Sequence, residues 1–437
     1  MKLKNNLLKG AIVLSFGGII TKVIGAIYRV PLTNLLGADG IGIYQMAFPT
    51  YCILLTLSST GVPNGISKLI AEGEDGESVL KSSLCIFSVL GIILSILMAI
   101  LSNSIAILQG DARAKLCYLL LSPSVFLVSV ISCFRGYHQG LSNMKPTATS
   151  QVIEQVVKLV FGLSVCYLLR NNVVLASAGA TLAVTASELF ALLYLIKISK
   201  KNLNFSLIKS RKVSFKPIIL NVLPIMLATL ILPIVRTVDS FLILNILSTY
   251  KANATTLYGL YSGAVESIVS LPISVCYTIG VSAIPIISKA KKQNENYFHF
   301  IYKSMGLTLV LSILFASFTF LFSNFAINFL YKSLSYQNRE IAIKMLKLSS
   351  LSILFLSLMQ TTVCSLNAIG KYKVTIFTSV VSAKIKITFS CIFLKINAIN
   401  VFGAILSDIL CYFVACFINL SYIIYSGFIK NKKSTAI

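Results

Sequence analysis

Long apolar runs alternate with short polar segments along the whole chain. Each run has about twenty or more residues, which is enough for a helix to cross roughly 30 Å of hydrocarbon. The runs lie near residues 11–32, 41–66, 82–108, 116–134, 147–169, 173–196, 217–247, 256–287, 304–330, 348–368, 374–394 and 398–428. This pattern predicts an all-α polytopic membrane protein with about twelve transmembrane helices.

The longest strongly basic connection follows the sixth run, so it divides the predicted helices six and six. We expect an N-terminal six-helix lobe at residues 1–198, a basic cytoplasmic linker at 199–216 and a C-terminal six-helix lobe at 217–437. An equal division of this kind prompts a search for an internal repeat.

Polar positions support such a repeat. One helical face of the fifth run is polar, and residues of similar type follow 228 positions later in the eleventh run. The matched positions are Thr147 with Thr375, Ser150 with Thr378 and Lys158 with Lys386. Two lobes repeated in the same membrane orientation have their site between them near the midplane, as in alternating-access transporters. Hydroxyls that only bond across a helix interface are the simpler alternative for the Thr and Ser positions.

Composition agrees with a membrane protein. Of the 437 residues 56% are hydrophobic and 12% are charged, and the mean hydropathy is +0.87. The net charge of +25 does not indicate nucleic-acid binding, because the charges lie mostly in short loops rather than on one soluble face. With a cytoplasmic N-terminus, 23 basic residues, Arg135 among them, fall in inner segments and nine fall outside. The positive-inside rule then predicts a multi-pass protein of the cell membrane with both termini cytoplasmic.

The sequence offers no catalytic or metal-binding pattern. The ten cysteines lie in apolar segments, and the two histidines, His138 and His299, are far apart in the chain. P-loop, H-E-x-x-H and G-x-S-x-G motifs are absent from the sequence. We therefore expect no enzyme activity, no metal and no cofactor.

Eleven ionisable residues fall inside the predicted helices, where a lipid-facing charge costs at least about 2.5–3.5 kcal/mol. The basic residues are Lys22, Arg29, Lys158, Arg236, Lys384 and Lys386, and the acidic residues are Glu154, Glu188, Asp239, Glu266 and Asp408. Glu154 with Lys158, and Arg236 with Asp239, have the spacing of local ion pairs. A structural ion pair and a ligand role both remain open for these four.

The first helix carries the other notable basic positions. Ser15, Gly18, Lys22, Gly25 and Arg29 share one helical face, which we expect to meet water or protein. No acidic residue lies within four positions of Lys22, Lys384 or Lys386, and Arg29 is near enough to the outer end to reach the interface. Basic groups from helices 1 and 11 would suit a phosphate or pyrophosphate. Glu188, Glu266 and Asp408 are either sites for a coupling H⁺ or Na⁺, or counter-ions, and we favour counter-ions.

Two parts of the chain carry a family resemblance. They contain the runs ITKVIGAIYRVPLTNLLGADGIGIYQMAFPTY, TGVPNGISKLIAE and FRGYHQGLSNMKPTATSQVIEQVVKL. These runs resemble the stage V sporulation protein B family of polysaccharide-biosynthesis membrane proteins. That family belongs to the multidrug/oligosaccharidyl-lipid/polysaccharide exporter superfamily, which also holds the lipid II flippases and the MATE antiporters.

The resemblance implies a MATE-like inverted V of two six-helix lobes. It implies a flippase that moves an undecaprenyl-pyrophosphate-linked saccharide, such as a lipid II-like peptidoglycan precursor, to the outer leaflet for cell-wall or spore cortex synthesis. The segment Thr21–Gly25 matches a motif whose basic residue meets the pyrophosphate in the related flippases, which gives Lys22 that role. Arg29 lies one residue later than their second basic position. Many relatives have fourteen helices, which leaves the binding of the lipid tail open here.

Our leading hypothesis is that Lys22, Arg29, Lys384 and Lys386 hold the pyrophosphate, while Lys158, Arg236 and the acids shape the cavity. Coupling to the membrane potential, H⁺ or Na⁺ is open, as is a partnership with cell-wall synthesis proteins. One alternative is a cation-coupled multidrug exporter of the MATE type, which the excess of intramembrane bases disfavours. Another is a non-transporting membrane scaffold for cell-wall assembly.

Overall fold

A computed structural model describes residues 2–200, 215–293 and 295–434, and every regular element in them is a helix. This confirms the predicted all-α class. Most of the predicted basic linker, including Lys201, Lys209 and Arg211, lies outside the described residues. The chain divides into two compact units, Met1–Phe241 and Leu242–Ile437. The predicted boundaries of the lobes remain predictions.

The helices are numbered in chain order. The first unit contains α1 Lys2–Ser58, α2 Val62–Ala71, α3 Gly76–Gln109, α4 Lys115–Gly140, α5 Lys145–Leu168, α6 Val173–Lys200 and α7 Phe215–Thr229. Helix α8, Ile231–Ser248, begins in the first unit and ends in the second. The second unit continues with α9 Ala254–Gly259, α10 Glu266–Lys292, α11 Phe298–Leu321, α12 Ser323–Leu330, α13 Tyr336–Ala368, α14 Tyr372–Leu394 and α15 Phe402–Ser434.

Eleven helical stretches among the described residues are long and apolar enough to cross a membrane. The first of them, Ile20–Ala71, has 52 residues, about twice the length that one crossing needs. Within it Gly37 leaves helical geometry at φ 67° and ψ −176°, a backbone conformation essentially restricted to glycine. The predicted first and second helices therefore meet at this one residue instead of at a loop.

Helix α4 lies at the centre of the first unit, where it packs against α2, α3 and α6. Small residues allow the close approach that helices need in lipid. A Cβ atom placed on Gly91 of α3 would lie only 2.7 Å from Ser129 Oγ of α4. On the α2 side, a Cβ on Gly136 would lie 2.9 Å from the Pro63 Cα atom.

Helices α1 and α5 run side by side in the same direction. A Cβ on Gly17 would lie 2.8 Å from Ala148 Cβ, and one on Gly162 would lie 2.6 Å from Tyr28 Oη. Since both contacts advance along the two helices together, the polar stripes predicted on these helices lie at matching depths. This pairing brings the basic residues of α1 close to those of α5.

In the second unit α13 packs against α10, α11 and α15. A Cβ on Gly280 of α10 would lie 3.1 Å from the Thr361 Cα atom of α13, so these two helices are also in close contact. Between α9 and α10 the chain forms a π-helical segment, Leu260–Val265. Such segments are rare and occur frequently at functional sites.

Candidate functional site

The predicted basic stripe of α1 has three different environments. Lys22 is exposed, and Arg29 is partly buried. Between them Gly25 faces α5, because a Cβ at this position would lie 3.4 Å from Gln155 Oε1. The stripe therefore borders the helix pair α1–α5, as expected for charges that avoid lipid.

Lys158 of α5 lies beside the Arg29 end of this stripe. Its Nζ atom is 5.8 Å from the centre of the Tyr28 ring, a cation–π distance. Its charge also interacts electrostatically with Arg29, Glu154 and Glu188. Lys158 and Arg29 thus form one basic region on the first unit.

Arg135 is a site residue that the sequence analysis missed. We counted it in a cytoplasmic segment, but it lies within α4 with only 13% of its side chain exposed. Its Nη2 donates to Glu154 Oε1 at 2.7 Å, and its Nε donates to Ser150 Oγ at 3.0 Å. Glu154 therefore has a cation on a neighbouring helix in addition to its local electrostatic interaction with Lys158. The guanidinium group of Arg135, on the neighbouring helix α4, lies at hydrogen-bond distance from the Glu154 carboxylate.

Glu188 of α6 is a buried acid held by hydroxyl groups. Tyr51 Oη of α1 donates to Glu188 Oε1 at 2.8 Å, and Ser124 of α4 donates to the other carboxylate oxygen. Glu188 is 7% exposed, and the hydroxyls replace the water that burial removes. Three helices of the first unit therefore meet at one carboxylate.

Helix α8 carries the predicted pair Arg236 and Asp239. Arg236 is exposed, and Asp239 is buried. The neighbouring Ser240 accepts a hydrogen bond from Gln109 Nε2 of α3 at 2.9 Å, and Gln109 Oε1 accepts one from Tyr118. Polar contacts of this kind hold the middle of α8 against α3.

The second unit contains a buried ion pair. Lys386 Nζ of α14 lies 2.9 Å from Asp408 Oδ1 of α15, and it also donates to Ala404 O and Ser407 Oγ. Tyr261, in the π-helical segment, donates to Asp408 Oδ2 at 2.5 Å. Asp408 thus occupies the position of a counter-ion, one of the two roles left open for it.

The other predicted residues of the second unit lie apart from this pair. Lys384 is exposed although Lys386 is buried, because residues two apart point to different sides of a helix. Glu266 is exposed at the first position of α10. The two lysines of α14 therefore do not form one basic surface in this structure, and their assignment as ligands remains a prediction.

The internal repeat is visible in side-chain contacts. Gln139 Nε2 donates to Thr147 Oγ1 at 3.4 Å, and Thr375 Oγ1 donates to Asn367 Oδ1 at 3.1 Å. Each member of the second pair lies 228 positions after its counterpart in the first, the shift found in the sequence. The repeat therefore includes this side-chain contact. The threonine accepts the hydrogen bond in the first copy and donates it in the second.

Charge is distributed unequally over the candidate residues. With Arg135 included, those of the first unit comprise five bases and three acids. Those of the second unit comprise two bases and two acids. The excess positive charge among the candidates therefore belongs to the first unit, where it is equivalent to two elementary charges.

Helices of membrane-spanning length, with charged side chains grouped inside them, define a polytopic membrane protein of the class that contains transporters and flippases. The chain belongs to the polysaccharide biosynthesis protein family, whose profile matches residues 7–291. This agrees with the family resemblance seen in the sequence.

Individual relatives are consistent with that family. The chain is 32% identical to the stage V sporulation protein B of Bacillus subtilis (strain 168) over 67% of its own length and 60% of that protein. It is 25% identical to the lipid II flippase MurJ of the same organism over 94% of this chain and 81% of that one. Only 60% of the sporulation protein's length is therefore represented here.

A solved structure gives the fold. A multidrug resistance MATE family transporter of the MOP superfamily, in its inward-facing conformation, matches with a TM-score of 0.79 at 14% identity. The match covers 97% of this chain and 99% of that chain. It confirms the MATE-like fold class. The family and the lipid II flippase among the relatives agree with the prediction that the chain is not an enzyme.

Proposed function

We propose that this protein is a flippase for undecaprenyl-pyrophosphate-linked saccharides, such as a lipid II-like precursor, in the cytoplasmic membrane. The observation that carries the proposal is the excess positive charge of the first unit. A diphosphate that joins a lipid to a sugar carries two negative charges, so it would neutralise two surplus bases inside the membrane. Relatives described as a lipid II flippase and a sporulation protein support this cargo and a role in cell-wall or spore cortex synthesis.

Three residues are assigned to the diphosphate. Arg29 can bind it through a bidentate fork, and Lys158 and Lys22 act as point charges on the adjoining faces of α5 and α1. The contact of Lys158 with Tyr28 supports this assignment, because the ring holds the ammonium group beside α1. Arg236 has an exposed side chain and remains a further candidate.

The basic segments support an orientation with both termini in the cytoplasm. Lys197 and Lys200 end α6, and Lys289, Lys291 and Lys292 end α10. The positive-inside rule places such helix ends at the cytoplasmic surface. Cargo would then enter from the inner leaflet, and the membrane potential, H⁺ or Na⁺ would supply the driving force.

Transport of fluorescent lipid II into the outer leaflet of proteoliposomes tests the proposal. We expect flipping by the wild type, a loss of about tenfold or more in Lys22→Ala and in Arg29→Gln, and substantial activity in Lys22→Arg. Lys145→Ala is the matched control, because Lys145 is an exposed lysine at the start of α5. Lack of flipping by folded wild-type protein would contradict the proposal and favour the scaffold alternative.

A cation-coupled multidrug exporter is the second candidate, and the structural match to a MATE transporter favours it. Organic cations require an acidic cavity, whereas the candidate residues of the first unit carry surplus bases. Expression in a drug-sensitive strain discriminates the two functions. Resistance that is lost in Glu188→Gln, together with no lipid II flipping, would favour the exporter.

A further inference from the structure

Arg135 has one guanidinium edge in use and one that the described residues leave open. The Nε–Nη2 edge faces Ser150 and Glu154. Within the described part of the chain, no hydrogen bond or ion pair involves Nη1 of Arg135. Arginine has five N–H donors, and the Nη1–Nη2 edge can grip a carboxylate through two parallel hydrogen bonds.

Arg113 in the same chain is an arginine whose two donor edges both bind carboxylates. Its Nε and Nη2 donate to Asp111, while its Nη1 and Nη2 donate to Asp39 at 2.6 and 2.9 Å. Arg113 thus serves two carboxylates, one on each edge. In Arg135 the Nε–Nη2 edge is shared by the Ser150 hydroxyl and the Glu154 carboxylate. Among the described residues, no carboxylate binds the Nη1–Nη2 edge of Arg135.

Because Arg135 is largely buried, a carboxylate at its open edge would interact with it more strongly than with an exposed arginine. The side chain of Arg135 is 13% exposed, whereas that of Arg113 is 46% exposed. Two opposite charges attract more strongly where less water surrounds them, so a largely buried guanidinium gains more from an added carboxylate than an exposed one does. The Ser150 and Glu154 contacts also hold the guanidinium in place before any ligand binds.

The depth of Arg135 separates it from the proposed diphosphate site. Its partners Ser150 and Glu154 precede Lys158 on α5 by eight and four residues, or about 12 and 6 Å along the helix axis. The two phosphates of a diphosphate share one oxygen atom, so they lie closer together than this. A second anionic group on the ligand would let it engage Lys158 and Arg135 at once.

We propose that Arg135 is a specificity-determining residue that binds a carboxylate on the saccharide or peptide part of the cargo. This inference rests on the proposed flippase function. This narrows the cargo class from all diphosphate-linked saccharides to those that also carry a carboxylate. Such a cargo is a diphosphate lipid whose head group also carries a carboxylate.

Binding to full-length protein in lipid nanodiscs tests this with three probes. They are undecaprenyl diphosphate, lipid II with free peptide carboxylates, and lipid II whose peptide carboxylates are amidated. We expect the wild type to bind the free-acid form about tenfold more tightly than the amidated form. Arg135→Gln is expected to bring this ratio to about one, and Arg135→Lys to restore part of it. The control Lys145→Gln should keep the wild-type ratio.

Glu154→Gln separates ligand binding from a structural ion pair. Both this variant and Arg135→Gln break the pair, so a purely structural role predicts the same change from both. A ligand role predicts different changes, because Glu154→Gln keeps the Arg135 cation and should retain a preference for the free-acid form, which Arg135→Gln loses. A ratio that stays at the wild-type value in Arg135→Gln, or equal binding of both lipid II forms by the wild type, would overturn the inference. If the wild type binds none of the three probes, that result would instead refute the flippase function.

Discussion

Lys386 and Asp408 form a buried ion pair that joins α14 to α15. The Nζ–Oδ1 distance is 2.9 Å, and Lys386 completes its hydrogen bonds with Ala404 O and Ser407 Oγ. A lysine whose ammonium group is satisfied in this way has little capacity left for a phosphate. The contact therefore argues for a structural role in the second unit, in contrast to the ligand role expected from the sequence.

Asp408→Asn should destabilise the protein by about 3–5 kcal/mol, because it leaves the buried charge of Lys386 without its counter-ion. Thermal unfolding of the purified protein in detergent measures the loss. The double variant Lys386→Met/Asp408→Leu removes both charges and should recover most of the stability. Lipid II flipping by the double variant then separates the two roles, since loss of transport in a stable protein would support Lys386 as a ligand.

A second prediction concerns the close contact between α2 and α4. Gly136→Ala should destabilise the protein by about 1–3 kcal/mol, because its Cβ would lie 2.8 Å from Ile66 Cβ and 2.9 Å from Pro63 Cα. Gly306→Ala of α11 is the control, since no atom lies within 4 Å of a Cβ there. That variant should be neutral or slightly stabilising. Equal Tm values for the two variants would contradict the packing described for α4.

Hydropathy predicted the helical class and nearly every crossing, because apolar length is a direct requirement of the bilayer. It did not predict that α1 continues to Ser58 with Gly37 as its only non-helical residue. The Gly37–Gly40 segment is typical of a turn, and only backbone geometry distinguishes a one-residue kink from a loop. The repeat was also readable, because both lobes need the same polar positions to satisfy the same contacts.

The site was less predictable, because charge partners on different helices leave no spacing signal. Glu154 and Lys158 have ideal local spacing, but Arg135 reaches Glu154 from α4. Asp408 lies 22 residues after Lys386, so their pairing follows only from the packing of α14 on α15. The one available signal for Arg135 was that it directly follows the apolar run that ends at residue 134.

The N-terminus of α3 provides a prediction about pH. Ser78 donates its backbone N–H and its hydroxyl to Asp75, and these hydrogen bonds lower the pKa of the Asp75 carboxyl below its usual value. Since the folded-state pKa lies below the unfolded one, the ionised cap contributes stability at neutral pH. This contribution is lost as the pH falls through the folded-state pKa, below about pH 4.

Asp75→Ala should therefore lower stability at pH 7 by about 1 kcal/mol, the usual value for a lost N-cap. Asp75→Asn keeps a capping oxygen but does not titrate, so its Tm should fall less steeply with acidification than that of the wild type. Thermal unfolding between about pH 3 and pH 7 measures both effects. Parallel wild-type and Asp75→Asn curves would show that the cap makes no contribution through ionisation.

Glu188 provides the last prediction, about the driving force. Hydroxyls of Tyr51 and Ser124 hold its carboxylate among α1, α4 and α6, whereas Glu154 and Asp408 each have a cation at hydrogen-bond distance. Of these three acids, Glu188 is the one held at hydrogen-bond distance by hydroxyls, which suits proton uptake or release. Glu188→Gln preserves the size of the side chain and one accepting oxygen, and its amide N–H₂ can donate to Ser124 Oγ, so it should fold normally. We expect it to flip lipid II without responding to an imposed pH gradient. An unchanged response would make Glu188 a structural group.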